Sequence, residues 1–344
     1  MKNLFIKSLL ISSAFLVACG DDDTSPSGAF SSGVLIVNEG NFTEEDGSIS
    51  FYDGESVSQG AFQTVNDLPT LGSVVQSMTV SDDYAYIVVN NSNKVEVVER
   101  YTFESVTTID AALPRYMVIS EGIGYLTEWV SFGSAGQVSR IDLSTNTVIG
   151  TIEVGFLPED IEIVNGSLYV TEAFGSSLYE VDLSTETVTT YELTNGSEQI
   201  VTDANSNLWI ACEGGSDENF APLNNGSLVQ FNTTTKTITQ TFELNVNYQG
   251  KLAIDVSGNT IVIPVNSDVF SFEIDATSFP SSPVISDENM TSIYGVGVDP
   301  ESGDIYLGDS KNFLDDGEVF IYNQSGTFKT SFGVGRAPNG FVFN

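Results

Sequence analysis

The segment SRIDLSTNTVIG, Ser139 to Gly150, returns as YEVDLSTETVTT, Tyr179 to Thr190. A chain that repeats itself about every forty residues is built from one supersecondary unit, and that period restricts the fold more than composition does. In both copies Asp, Leu, Ser and Thr lead into a turn. Such polar side chains bond their own backbone and tolerate tight hairpins, while the β-branched flanks favour strands. No segment beyond the N-terminus has helical spacing.

Counting units sets the architecture. Six complete four-strand units begin near Val75, Arg115, Glu159, Glu198, Gly250 and Ser292. Two fragments remain. GVLIVNEGNFTEEDGSISFYDGESVSQGAF supplies three strands without the first, and the C-terminal PNGFVFN supplies one strand and stops. Together they complete a seventh unit, which removes the open sheet edges of a linear array. The expected fold is all-β, a seven-bladed β-propeller over residues 33–344, with N- and C-terminal strands sharing one blade.

The first residues belong to a different kind of sequence. MKNLFIKSLLISSAFLVACG carries Lys2 and Lys7 ahead of an apolar run too short to span a bilayer, the anatomy of a secretion signal. Leu16-Val17-Ala18 before Cys19 resembles the bacterial lipobox, which implies a signal peptide over 1–18 and a diacylated Cys19. Residues 19–32, with GDDDTSPSG, form an acidic flexible tether. An acidic run just after the lipid-bearing cysteine resembles the surface-export signal of Bacteroidota lipoproteins. The expected address is the outer membrane, facing the exterior and held only through the lipid. Cys212 is then the one cysteine left and has no disulfide partner.

Charge and composition narrow the chemistry. Eleven Lys and Arg face 47 Asp and Glu, a net charge of −36. Such a surface repels phosphate backbones, so nucleic acid is not an expected partner. The chain has no histidine, which removes Ser-His-Asp catalysis and histidine zinc sites together. The acidic turns TEEDGS and DDGE lack the spacing of a calcium loop. No catalytic residue, metal or cofactor is expected, although a carboxylate-based lactonase or lyase is an alternative.

Candidate binding residues come from the loops between second and third strands and between blades, which open on one face. The second strands end in Asn38-Glu39, Asn90-Asn91, Glu128-Trp129, Glu172-Ala173, Cys212-Glu213, Asn266-Ser267 and Asp309-Ser310. Phe42, Phe132, Phe174, Phe220 and Phe313 stand close by. The blade-to-blade loops add Arg115, Phe156, Glu159, Gln199, Tyr248, Gln249, Tyr294, Arg336 and Asn339. Polar residues at strand ends also satisfy loop backbone groups, the alternative role for any one of them. Apolar plates interleaved with a polar ring describe a pocket for a large amide-bearing organic ligand. Arg115 and Arg336 would meet a phosphate or carboxylate of that ligand.

The units VSRIDLSTNTVIGTIEVG and LYEVDLSTETVTTYEL resemble the YncE-like, surface-layer propeller repeat. The opening VLIVNEGNF…DGSISFYD, after a lipobox and an acidic run, is similar to the Bacteroidota surface lipoproteins of the BtuG type. That resemblance implies capture of cobalamin or another corrinoid over the channel mouth and its delivery to a TonB-dependent transporter. The other reading is a scaffold binding proteins or glycans through the same face.

Overall fold

The computed structural model describes residues 27–194, 196–215, 223–246, 248 and 250–344. Cys19, the signal segment, most of the tether, Phe220 and Gln249 lie outside them. Seven four-stranded antiparallel sheets form a β-propeller. The first strands are innermost and pack against one another in a ring. They run Val75–Val80, Pro114–Ser120, Pro158–Val164, Ser197–Thr202, Ala253–Ile254, Ile293–Val298 and Pro338–Phe343, in blades one to seven.

Blade seven closes the ring as the fragments require. Pro338–Phe343 pairs antiparallel with Val34–Asn38, from Val34 opposite Phe343 to Asn38 opposite Pro338. Ser48–Tyr52 and Val57–Ser58 complete the sheet. The chain enters this blade from the face that carries the hairpins between first and second strands. There the Phe30 N–H donates to the Tyr101 carbonyl, and the Asn344 N–H to that of Gly33. The loops between blades lie on the opposite face.

The repeated phrase is the hairpin between third and fourth strands. Asp142 accepts the Ser144 N–H and hydroxyl, and Asp182 accepts the N–H groups of Ser184 and Thr185. Asn232 does the same for Thr234 and Thr235. Asn146, Glu186 and Lys236 then turn the chain with φ of 52°, 58° and 59°. The repetition encodes a turn, not a site.

The core lies between neighbouring sheets. Between blades four and five, Trp209, Phe242 and Phe272 pack with ring centroids 5.6–6.0 Å apart. A helix at Ala61–Asn66, linking blade seven to blade one, departs from the all-strand expectation. Six residues are too few to display a helical period. Tertiary contacts hold it: Phe62 is buried, and the Asn66 amide donates to the Phe103 carbonyl while its oxygen accepts the Ser105 N–H.

Candidate functional site

One local device recurs at the start of the innermost strands. The residue just ahead is left-handed in five blades: Val74, Leu113, Leu157, Gly196 and Ala337, with φ of 59°, 50°, 43°, 73° and 53°. For Val and Leu this conformation costs about 1–3 kcal/mol each, so the surroundings must impose it. A bulge follows. Pairing with the second strand jumps from Val75 to Ser77, Pro114 to Met117, Pro158 to Ile161, Ser197 to Ile200 and Ile293 to Gly295. In blade seven it jumps from Pro338 to Gly340. The skipped residues are Gln76, Arg115-Tyr116, Glu159-Asp160, Glu198-Gln199, Tyr294 and Asn339. Lys251 holds the matching place in blade five, just ahead of Ala253–Ile254. Bulges re-aim side chains; here they place a polar ring at one end of the channel.

The ring is internally bonded. Arg115 donates to Glu159 through two bonds, Nε to Oε2 at 2.8 Å and Nη2 to Oε1 at 2.5 Å. The Arg115 guanidinium also lies 4.2 Å from the Trp129 ring centroid. Gln76 donates to the Tyr116 hydroxyl at 3.1 Å, and Tyr294 to the Glu39 carboxylate at 2.6 Å. The Asn339 amide donates to Glu39 and to the carbonyls of Val75 and Gln76. Lys251 stands over the Tyr294 ring, Nζ 4.8 Å from its centroid.

Acids outnumber bases here, and burial governs them. The carboxyl of Glu198 is pushed well above the usual range, first by burial and then by the neighbouring Glu159 and Glu213. Burial lifts Glu213 to about 7 against the pull of Lys251. Asp160 is lifted to about 8 despite N–H bonds from Ile161 and Ile200, and Glu162 to about 7, burial leading in both. Glu198, Asp160 and Glu162 are half-buried, and burial favours their protonated forms at this end of the channel. Arg115 goes the other way. Burial opposes its charge, Glu159 outweighs burial, and the guanidinium stays protonated.

The expected ring at the ends of the second strands needs correction. Asn38, Asn90, Glu128 and Asp309 are buried and do not face the mouth. The Asn38 amide donates to Ser50 Oγ at 2.9 Å, and that of Asn90 to the Pro114 carbonyl at 3.0 Å. Glu128 accepts the Ala112 N–H at 2.7 Å and the Ser139 hydroxyl. Asp309 accepts the N–H groups of Thr291, Ser292 and Lys311. Half-buried Glu172 accepts the Ser177 N–H, and the Tyr248 hydroxyl donates to the Lys251 carbonyl. Apart from Asn38, which bonds strand hydroxyls, backbone near the loops takes these polar groups because each blade-to-blade crossing leaves N–H and C=O groups without ladder partners. Arg336 is no free cation either, pairing with Glu44 at 3.1 Å and Asp46 at 3.0 Å.

Other candidates do reach the surface beside the ring. Trp129 packs edge-on against Phe132 at 5.4 Å and Phe174 at 6.3 Å. Trp129 is nearly buried at 8% exposure, whereas Phe132 is 66% exposed and Phe174 44%. Phe42 and Phe156 are exposed, and Phe313 packs on Tyr294 at 4.9 Å. Asn266 is exposed with a left-handed φ of 59°. Sequence reasoning missed Gln76, Tyr116, Asp160, Glu198 and Lys251 as site residues. The signal for Gln76, Glu198 and Lys251 was positional: VQ, PR, PE, SE, GK, IY and PN each put a polar or aromatic residue in the second place of a unit, and Tyr116 and Asp160 follow in the third.

A family model described as "Domain of unknown function (DUF5074)" matches residues 32–334. No curated protein matches the chain. Solved structures share the fold. A quinonprotein alcohol dehydrogenase-like protein from Bacteroides thetaiotaomicron is 17% identical with a TM-score of 0.71, covering 91% of this chain and 78% of its own. A functionally unknown protein from Desulfotomaculum acetoxidans is 12% identical with a TM-score of 0.68, covering 91% and 98%. Hydrazine synthase of Kuenenia stuttgartiensis is 15% identical with a TM-score of 0.64, covering 78% and 91%. At these identities the likeness speaks for the propeller and not for an activity.

Proposed function

The chain belongs to the DUF5074 family, and we propose that it is a non-enzymatic, lipid-anchored receptor capturing a large organic nutrient at the channel mouth. Cobalamin or another corrinoid is the first candidate, handed on to a TonB-dependent transporter of the outer membrane. The observation that carries this reading is the aromatic wall of Phe132, Phe174 and Trp129, backed by Arg115 and set beside the polar ring. A flat molecule rimmed with amides would stack on the wall. Its rim would meet hydroxyl, amide and protonated carboxyl groups.

Two features weigh against catalysis. The chain has no histidine, and the Cys212 thiol is buried, its pKa raised to about 12 mainly by burial. A thiol so placed is no nucleophile at neutral pH.

The test is direct. Mature protein mixed with cyanocobalamin should keep the red colour through gel filtration and give saturable heat in calorimetry. Phe132→Ala should weaken binding roughly thirtyfold, the equivalent of about 2 kcal/mol for a large aromatic contact. Asn146→Ala, on a hairpin of the other face, should change nothing. If neither colour nor heat appears, the corrinoid reading falls and the protein or glycan scaffold takes its place.

A further inference from the structure

Lys251 is the exception among the described Lys and Arg residues of this acidic chain. Eight other Lys and Arg side chains among the described residues meet an acceptor. Seven have a carboxylate at 3.5 Å or closer, and Arg100 has the Asn344 side chain and the Ser81 carbonyl. The Lys251 ammonium has no hydrogen-bond acceptor or ion-pair partner among the described residues, although the residue is only 9% exposed. The stem is buried while the ammonium nitrogen is not sealed off from its surroundings, so water or a bound anion can reach it. The Tyr294 ring face at 4.8 Å satisfies it only in part.

The side chain lines a cavity of about 310 Å³ between blades five and six, whose wall includes Pro264, Asn266, Ser267, Thr291 and Ile293. That volume lies at the lower end of ligand sites and suits a small group rather than a whole nutrient. Asn266 and Ser267 are exposed at its edge, with no side-chain hydrogen bond to the described residues. Glu198 and Glu213 lie close enough to feel the ammonium but not to pair with it, and burial holds both toward their neutral forms.

We infer that this cavity is an oxyanion subsite, in which Lys251 grips a carboxylate or phosphate oxygen of a bound molecule while Asn266 and Ser267 donate to the same group. The site stands whether or not a corrinoid occupies the mouth. Its occupant is defined by one anionic group on a compact stem.

The mature chain has five lysines, Lys94, Lys236, Lys251, Lys311 and Lys329, few enough to follow individually after reductive methylation with carbon-13 formaldehyde. Inorganic phosphate and acetate are titrated separately, with sodium chloride holding the ionic strength constant. The Lys251 resonance, assigned by its loss in Lys251→Met, should move saturably with at least one anion while the other four stay still. Phosphate alone would mark a phosphate-bearing ligand, and acetate alone a carboxylate-bearing one. Asn266→Ala, on an exposed residue, should weaken the response about tenfold, the lower end of the range for one hydrogen bond to a charged group, and it keeps the test alive if Lys251→Met misfolds. A still Lys251 with both anions, or equal shifts at all five lysines, overturns the subsite.

Discussion

Removing Arg115 tests how the polar ring is held together. Its partner Glu159 is 2% exposed and Arg115 itself 13%, so Arg115→Met leaves a buried carboxylate with neither ion pair nor bidentate hydrogen bonds. Breaking a buried pair from one side costs about 3–5 kcal/mol. Losing the contact on Trp129 adds about 0.5–1 kcal/mol. The neighbouring Glu198 makes relief by structural rearrangement harder, since any ionised fraction there repels Glu159. A total near 4 kcal/mol is expected for Arg115→Met, and about 2–3 kcal/mol for Glu159→Gln, which keeps the shape but strands the guanidinium. The double variant should lose less than the sum by about 2 kcal/mol, because no unpaired charge remains. Urea unfolding followed by tryptophan fluorescence measures all three, Trp129 reporting on blade two and Trp209 on blade four. An Arg115→Met variant within about 1 kcal/mol of the parent, or strict additivity in the double, refutes a structural role for the pair. It would also return Arg115 to the list of free ligand donors.

Three further outcomes can be measured, two resting on the structure and one on the proposed lipid anchor. Deleting residues 338–344 strips Val34–Asn38 of its partner strand and should lower unfolding free energy by several kcal/mol; a truncated chain as stable as the parent refutes ring closure. Stability should fall as pH rises from about 5 to about 8, because Asp160, Glu162 and Glu213, with folded values of about 8, 7 and 7, bind protons in this window that the unfolded chain has already lost. Urea midpoints measured across that range check it, and Asp160→Asn should flatten the slope. Finally, Cys19→Ser should release the protein from membrane fractions and stop acyl-label incorporation; a variant that stays bound disproves the lipid anchor.

The fold was legible because its signals are local and repeated. Asp142 and Asp182 bond the backbone two and three residues on, so their turns are written within a few letters. The split blade could be read from two fragments that each lacked what the other carried. The helix at Ala61–Asn66 was not legible, since Phe62 and Asn66 are held by distant partners. The site was harder for a geometric reason. Asn38 and Glu39 are adjacent, yet Asn38 turns inward to Ser50 while Glu39 accepts from Asn339 of its own blade and from Tyr294 across the blade boundary. Which neighbour faces the channel depends on a bulge and on a left-handed residue such as Val74 or Leu113, where the sequence advertises no glycine. Lys251 escaped notice because blade five places its polar residue ahead of a first strand only two residues long.

The point where the chain enters blade seven has a consequence for the proposed delivery. Phe30 and Gly33 lie on the face opposite the aromatic wall, so a domain hung from its N-terminus presents the wall away from its support. Arrivals from the medium would meet it unobstructed. A recipient embedded in the same support would see the wrong side. With Cys19 lipidated as proposed, seven residues lie between it and Ser27, eight steps that reach at most about 28 Å. A six-residue strand spans about 20 Å, so the leash is scarcely longer than the body it must swing around. If the bound molecule is handed to a neighbour as proposed, the domain would have to tip over its own edge, and lengthening the tether should then quicken that step without touching capture.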